Sequence, residues 1–301
     1  MNIGEKSYCQ PRTEAELIEV LGQMTENSCI LAGGTDLLIE LRDKRPQVDL
    51  VLSLCGLTEW TKIRQEGDWL VIGAMAVHED IARNSLVKQY ARALSMSCAS
   101  VGSRQIRNKG TIGGSLGNAS PAGDMMPCLF LLHGKVELLD AQGVSRLVPA
   151  EEFLNAGGKT ILTPGVVIRS IWLPIQPERD SCFVKLGSRR EVTIAQISLG
   201  LAWTRQEDRH EALEAVIGAV DRRPLWVPEA AELLAPYPVS DEANDQLSQI
   251  LAQRIQAIRL NRTRPPKLKI TEAERLYKER AVRGVVYDVV DAMEPDHPAE
   301  A

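Results

Sequence analysis

Two segments of the chain combine paired glycines with a hydroxyl side chain: Gly33-Gly34-Thr35 and Gly113-Gly114-Ser115. Because glycine has no Cβ, the backbone at such a pair can take a positive φ and approach a ligand closely. Successive free N–H groups can then form a concavity that binds an anion, and Thr35 adds a hydroxyl at the start of a helix. Each pair alone is also typical of a tight turn. Together they predict two facing loops that grip the diphosphate of a dinucleotide.

The common nucleotide-binding motifs are absent from the sequence. No G-x-G-x-x-G pattern occurs anywhere in the chain. The run Gly158-Lys159-Thr160 resembles the end of a P-loop, but Phe153 stands where the first glycine of that motif belongs. We therefore expect a ligand that is held neither by a P-loop nor by a standard Rossmann turn.

The composition is that of a globular protein with no general attraction to polyanions. The 301 residues include 35 Lys and Arg against 40 Asp and Glu, a net charge of −5, and 44% of them are hydrophobic. Such a balance gives no pull toward nucleic acid or an anionic membrane, so an anionic ligand must be held by local geometry. Residues 1–10 are polar, and no run approaches the about 18 apolar residues of a spanning helix. We expect a cytoplasmic protein.

Cysteine and histidine lack the spacing of a metal site. The six cysteines include no C-x-x-C pair, so most of them are expected to be small buried apolar groups. We expect neither an iron–sulfur cluster nor another metal in this chain. The histidines are isolated in the sequence and are expected at surface or capping positions: His78, His133, His210 and His297.

Hydrophobic periodicity predicts a mixture of helices and strands. Thr13 and Glu16 form a capping box at the start of the first helix. Further helices are predicted at 37–42, 77–84, 86–100 and 125–134. Strands are predicted at 28–31, 48–54, 69–73, 135–139 and 166–173.

A polar linker with two prolines, at 174–180, separates this region from a second one. The second region is predicted to contain strands near 182–187 and 193–204, followed by helices at 227–235, 241–260 and 271–292. The tail after Met293 shows no such pattern, and we expect it to be disordered.

Three stretches resemble the xanthine dehydrogenase/carbon monoxide dehydrogenase flavoprotein family: residues 31–38 (LAGGTDLL), 106–115 (IRNKGTIGGS) and 183–190 (FVKLGSRR). The resemblance covers about residues 5–290. It implies an α+β protein whose residues 1–176 form a PCMH-type FAD-binding domain of two α+β subdomains. A small C-terminal flavoprotein domain of a sheet and helices would follow at 181–290, and residues 294–301 would be the disordered tail.

The resemblance also implies a function. Family members of this size are the medium subunits of molybdenum hydroxylases, and they assemble with a [2Fe–2S] subunit and a molybdopterin-binding subunit. Electrons would pass from the molybdenum centre through iron–sulfur clusters to FAD, and then to NAD+ or another acceptor. The cofactor expected on this chain is FAD alone.

Positions that match the family's FAD loops are the expected cofactor-binding residues. The first loop would wrap the diphosphate with Ile30, Leu31, Ala32, Gly33, Gly34, Thr35, Asp36 and Leu37. The second would hold its other side and the ribityl chain with Gly110, Thr111, Gly113, Gly114 and Ser115. Further matches are Asn118 near the isoalloxazine, and Val101 and Ile168 packing against the cofactor.

Two charged residues are expected to act on the flavin itself. Asp124 matches an acid that accepts hydrogen bonds from flavin hydroxyls or amides. Lys185 matches a lysine near the ring, where a cation would stabilise negative charge on the reduced flavin and raise its potential. Taken without the resemblance, Lys185 could equally be a solvated surface lysine.

The chain departs from the family at several positions. Ser115 stands where relatives usually carry Asn, and a hydroxyl donates over a shorter reach. Arg169 replaces a residue that is commonly apolar, and Phe183 or Val184 replaces a tyrosine that often stacks by the flavin. These departures leave the chemistry of the electron acceptor open.

Two other functions are compatible with the same motifs. One is a self-sufficient flavin oxidoreductase on the PCMH scaffold, against which stands the lack of an obvious general base beside the loops. The other is an assembly module that has lost FAD, against which stands the retention of both glycine segments. A basic stretch is interpreted as a solvated face or as a docking surface for an acidic subunit: Arg259, Arg262, Arg264, Lys267 and Lys269.

Overall fold

The computed structural model describes residues 7–44, 46–189, 192–261 and 272–294. Its first part is a parallel sheet with strand order β1-β3-β2. Its elements are β1 (Ser7–Cys9), α1 (Glu14–Leu21), β2 (Cys29–Leu31), α2 (Leu37–Lys44) and β3 (Leu50–Ser53). The N-cap of the predicted capping box is confirmed, because the Glu16 amide donates to Thr13 Oγ1. The Glu16 carboxylate accepts from the Arg12 amide and not from the amide of Thr13, so the second half of the box is shifted by one residue.

The second part is an antiparallel sheet of five strands with order β4-β5-β8-β6-β7. The strands are β4 (Ile63–Glu66), β5 (Trp69–Gly73), β6 (Lys135–Asp140), β7 (Ser145–Pro149) and β8 (Val166–Pro174). The helices of this part, most of them inserted between β5 and β6, are α3 (His78–Arg83), α4 (Ser85–Tyr90), α5 (Arg92–Ala99), α6 (Arg104–Arg107), α7 (Ile112–Asn118), α8 (Met125–Leu131) and α9 (Ala150–Phe153).

The third part is an antiparallel sheet of order β12-β11-β10-β9, followed by helices. Its elements are β9 (Arg179–Gly187), β10 (Ala195–Arg205), β11 (His210–Gly218), β12 (Leu225–Trp226), α10 (Ala230–Leu233), α11 (Asp241–Asn261) and α12 (Glu272–Met293). Separate parallel and antiparallel sheets combined with helices confirm the predicted α+β class.

The third sheet is buried on both faces, and this explains why its central strand β10 is apolar almost throughout. Successive side chains of a strand point to opposite faces. Leu199 and Leu201 pack in a core shared with α11 and α12, whereas Ala202 belongs to the core of the first two sheets. Helices α5 and α8 therefore cover one face of this sheet while α12 covers the other.

Several boundaries differ from the predictions for local reasons. The helix expected at 86–100 is two helices, α4 and α5, because the backbone leaves helical geometry at Ala91 (φ −147°, ψ 50°). The helix expected at 227–235 shortens to the four residues of α10, and strands β1, β4, β7, β11 and β12 were not predicted. Within β11, Ala212 has a φ of +46°, which interrupts the alternation that marks a strand.

The start of the predicted tail is packed in the structure. Glu294 is buried, its amide donates to the Val290 carbonyl, and its carboxylate accepts from the Val239 amide. Residues 295–301 lie outside the described residues, as do Arg190 and the basic positions 262–269, and the side chain of Arg259 also lies outside them. No helix within the described ranges is long and apolar enough to cross a membrane.

Candidate functional site

The first glycine segment links the end of β2 to the start of α2 and exposes consecutive main-chain amides. Gly34 takes a φ of +74°, which turns the chain from the strand into the helix. The amides of residues 33–37 donate no hydrogen bond to any residue that the structure describes. Five successive free N–H groups ahead of a helix N-terminus form the kind of concavity that binds phosphate oxygens.

The second glycine segment corrects the expectation that both segments expose free amides. It is the first turn of α7, capped by Thr111, whose Oγ1 accepts from the Gly114 amide at 3.0 Å. The Ile112 and Gly113 amides donate to the carbonyls of Ala76 and Ala74. Since these donors are occupied by protein, this segment can offer hydroxyl groups to a ligand but not a row of amides.

The glycine at position 113 is needed for close packing and not for an unusual φ. A Cβ at Gly113 would lie 2.7 Å from both the Cβ and the carbonyl oxygen of Ala74. No Cβ can occupy that space without displacing the backbone after β5. The glycine therefore lets α7 lie against the end of β5, which fixes the position of Thr111 and Ser115.

The two segments meet in space, although they are distant in the sequence. A Cβ added to Gly33 would overlap the Lys109 carbonyl oxygen, and it would lie 3.0 Å from the Cα of Gly110. A Cβ added to Gly114 would lie 3.6 Å from the Cβ of Ala32. The segment with free amides after β2 and the first turn of α7 thus lie side by side.

A buried ion pair lies in the same part of the molecule. Lys185 Nζ is 2.6 Å from Asp124 Oδ2, and both side chains are 7% exposed. Lys185 shares a face of β9 with Phe183, which packs in the core of the first two sheets. The ammonium therefore reaches Asp124, at the start of α8, from the third sheet.

Asp124 has an unused acceptor. Its Oδ1 is buried and has no hydrogen-bond partner among the described residues. Burial raises the pKa of the Asp124 carboxyl above its usual value, and the Lys185 ammonium opposes this shift. A buried acceptor is normally satisfied, so this oxygen fits a hydroxyl or amide donor on a bound cofactor.

A cleft connects α7 with the loop before α8. The loop that precedes β12 closes it on the side of the third sheet, through Arg222 and Pro224. The other lining residues are Ser115, Leu116, Ala119, Ser120, Pro121, Gly123, Met125, Met126 and Leu154. The cleft therefore runs from the second glycine segment toward the chain neighbours of Asp124.

The remaining expected site residues occupy varied positions. Ile30 and Leu31 are half-buried in β2. Asp36 is exposed, and the Asp36 main-chain carbonyl accepts hydrogen bonds from amides in the first turn of α2. Asn118 is exposed at the end of α7, beside Ala119, which has a φ of +46°. Val101 is half-buried, and Ile168 lies in the main core on β8.

The unusual residues at 169 and 183 have structural roles. Arg169 donates to Glu14 and Glu137 at 2.9 and 2.8 Å, which ties α1 to the five-stranded sheet. Phe183 is buried in the core. Arg189 donates to the Val192 carbonyl within the turn that joins β9 and β10.

Histidine 78 was expected at a surface or capping position, and this is wrong. His78 is 4% exposed, its amide donates to the Gly110 carbonyl at 3.0 Å, and its Nδ1 is 3.7 Å from the Cys98 Sγ. Burial, and secondarily the charge of Arg107, lower the pKa of His78 to about 4. His210 is also buried, at 2% exposure. The sequence carries no signal for either location, because both follow from tertiary packing.

The residues present fit FAD. The segment 33–37 offers free main-chain amides, Ser115 offers a hydroxyl group at the edge of the cleft, and Asp124 Oδ1 is a buried acceptor without a partner among the described residues. Within the described residues, no group of three or more His, Cys, Asp or Glu side chains could hold a metal ion. The fold and site define a dinucleotide-binding protein of the α+β class.

Comparison with known proteins identifies the family. The family model described as the FAD binding domain in molybdopterin dehydrogenase matches residues 2–176. The nicotinate dehydrogenase FAD-subunit of Eubacterium barkeri is 30% identical over 302 residues, covering 95% of this chain and 97% of that protein. The carbon monoxide dehydrogenase medium chain of Afipia carboxidovorans is 24% identical, covering 81% and 84%. The chain belongs to the FAD-binding flavoprotein subunits of the molybdenum hydroxylase family, which confirms the family and the cofactor expected from the sequence.

Solved structures agree on the fold. Quinoline 2-oxidoreductase from Pseudomonas putida 86 superposes with a TM-score of 0.81 at 23% identity, over 97% of this chain and 99% of that chain. Carbon monoxide dehydrogenase from Hydrogenophaga pseudoflava gives 0.80 at 22% identity, over 97% and 98%. The fold of this oxidoreductase subunit therefore extends through all three sheets.

Proposed function

We propose that this chain is the electron-transfer subunit of a molybdopterin-dependent hydroxylase or dehydrogenase, taking electrons from a [2Fe–2S] subunit and passing them to NAD+ or another acceptor. The observation that carries the proposal is the close approach of Gly33, in a segment whose amides are free, to the backbone of the Lys109–Gly110 turn. This close approach supports a diphosphate site for FAD on this chain.

Different residues of the site would bind different parts of FAD. The amides at 33–37 and the N-terminus of α2 bind the diphosphate, and no lysine is needed there. Thr111 and Ser115 orient the ribityl chain, and Asp124 accepts a hydrogen bond through Oδ1. Bound FAD supplies the redox chemistry, since it accepts and releases electrons.

Lys185 is the residue that would tune the potential of the flavin. Its side chain is 7% exposed, and its ammonium is 2.6 Å from Asp124 Oδ2. The ammonium offsets the charge of the Asp124 carboxylate, so a neighbouring group faces a neutral pair instead of an isolated buried anion. Lys185 therefore favours negative charge on a neighbouring group, and the reduced flavin carries such charge.

The choice of organic substrate belongs to another subunit. Relatives that share this fold are named for nicotinate, nicotine, glyceraldehyde, carbon monoxide, caffeine and xanthine. Related flavoprotein subunits thus occur in enzymes whose substrates have little chemistry in common. We therefore place substrate recognition on the molybdopterin-binding partner and electron delivery on this chain.

Affinity purification of the tagged full-length chain from cells that produce it tests the proposal. Flavin, iron and molybdenum are measured in the purified material and in the same chain expressed alone in a heterologous host. We expect all three in the first preparation, and flavin without iron or molybdenum in the second. Turnover of an organic substrate by the isolated chain would favour the self-sufficient oxidoreductase, and a chain that stays colourless after FAD addition would favour the assembly module.

A further inference from the structure

One carboxylate near the site is surrounded by arginines. Glu79, on α3, lies 2.8 Å from Arg107 Nε, 2.7 Å from Arg83 and 3.8 Å from Arg104. The side chains of Glu79 and Arg107 are 10% and 20% exposed, whereas Arg83 and Arg104 are 64% and 67% exposed. Of these three ion pairs, only Glu79–Arg107 is shielded from water, so its electrostatic attraction is the strongest of the three.

Arg107 also holds the loop that precedes its own helix. Its Nη1 donates to the carbonyls of Val101 and Gly102, each at 3.4 Å. The same side chain thus joins three pieces: helix α3 through Glu79, the loop after α5 through these carbonyls, and α6 through its own backbone.

Besides this pair, a backbone hydrogen bond from the His78 amide to the Gly110 carbonyl, at 3.0 Å, ties the turn after α6 to the start of α3, but helix α6 itself is weakly anchored. It is four residues long and contains no buried residue. Helix α3 is anchored by contrast, because Ile81 is fully buried. Packing of apolar side chains therefore fixes α3 but not α6. The Glu79–Arg107 ion pair is the side-chain contact that holds α6 to α3, and the His78–Gly110 hydrogen bond links the turn that follows.

The end of α6 reaches the candidate FAD site. The amides of Lys109 and Gly110 both donate to the Ile106 carbonyl, so the turn at 109–110 continues rigidly from the helix. The Lys109 carbonyl is packed against Gly33. A shift of α6 would therefore move one wall of the contact between the two glycine segments.

We propose that the Glu79–Arg107 pair is a latch that positions the 109–110 turn against Gly33 and thereby sets the affinity for FAD. This inference rests on the proposed function, because it concerns the same site. Arg107 is a positioning residue that acts through Gly110. In metal sites, loss of a partner that orients a ligand typically lowers affinity about 10- to 100-fold. By analogy we expect about a tenfold weaker FAD affinity.

The experiment titrates FAD into full-length chains stripped of flavin and follows the flavin fluorescence. Arg107→Gln and Glu79→Gln should each weaken binding about tenfold, and the double variant should bind no more weakly than either single one. Arg107→Lys keeps a charge for Glu79 and should recover part of the loss. Arg83→Gln is the matched control, because it removes an arginine from the same carboxylate without touching α6, and it should bind like the wild type.

The outcomes separate the latch from the function on which it rests. Arg107→Gln and Glu79→Gln chains that bind FAD as tightly as Arg83→Gln would overturn the latch while wild-type binding stands. Equal weakening in all three would also overturn it, since the effect would then come from general surface charge. A wild-type chain that fails to bind FAD would instead refute the proposed function. Thermal unfolding without FAD identifies variants that do not fold, and Glu79→Gln carries the test if Arg107→Gln is one of them.

Discussion

Substitution of Gly33 by alanine should separate the two segments of the site. The added Cβ would overlap the Lys109 carbonyl oxygen and lie 2.7 Å from its carbonyl carbon and 3.0 Å from Gly110 Cα. All three atoms are backbone, so no side chain can rotate away, and the segments themselves must move apart. Overpacking of this kind costs about 1–3 kcal/mol. That strain must be overcome when FAD draws the segments together, so we expect FAD affinity to fall about 5- to 150-fold.

The assay compares Gly33→Ala with Gly117→Ala. A Cβ at Gly117 meets no atom within 4 Å, although this glycine lies in α7 close to the same site. Alanine there should raise the free energy of unfolding by about 0.5–1 kcal/mol and leave FAD affinity unchanged. Dissociation constants come from flavin fluorescence, and unfolding without FAD comes from circular dichroism. A folded Gly33→Ala chain with wild-type affinity for FAD would refute the close approach as the basis of the site.

Two further predictions concern buried charge. Lys185→Met leaves Asp124 without its cation, so the free energy of urea unfolding at pH 7 should fall by about 3 kcal/mol. The reduction potential of the bound flavin should also become more negative. An unchanged free energy of unfolding would mean that the Lys185–Asp124 pair is not formed. Burial, and secondarily Arg107, lower the pKa of His78 from 6.5 to about 4. The unfolded chain therefore binds a proton at mildly acidic pH before the folded chain does, so about 3 kcal/mol of stability is present above pH 6.5 and is lost as the pH falls to about 4. The loss of stability from pH 7 to pH 4.5 should be smaller in His78→Gln than in the wild type, and equal losses would contradict this reasoning.

The meeting of two distant segments could be predicted because glycine is used where nothing larger fits. Gly33 faces the backbone of Lys109, and Gly113 faces Ala74, so both positions exclude a side chain. Paired glycines in two similar runs therefore indicated a close approach. The paired glycines did not show the backbone conformation of either segment. Glycine permits a positive φ at Gly34, whereas at Gly113 it permits close packing of a helix.

The division of chemistry between the segments needed the structure. Thr111 caps α7, and Ile112 donates to Ala76, a residue in the connection after β5. Which carbonyl occupies an amide depends on how separate elements pack, and the sequence does not encode that locally. Only the first segment keeps its amides free, so the proposed phosphate contacts lie on that segment, and the second segment packs beside it.

The charged neighbours of the site were missed for the same reason. Glu79 and Arg107 are 28 positions apart and belong to different short helices. Neither residue stands in a motif with a known spacing. Their pairing follows from the anchoring of α3 in the core, and it becomes visible only when the elements are assembled.

Comparison of FAD, FMN and riboflavin as ligands of the same purified chain tests the central claim most directly. These ligands share the flavin ring and differ in carrying a diphosphate with adenosine, one phosphate or none. If the free amides at 33–37 seat the diphosphate, affinity should fall in the order FAD, FMN, riboflavin, and Gly33→Ala should reduce the difference. Riboflavin that binds as tightly as FAD would contradict the account, because the amides would then contribute nothing to binding.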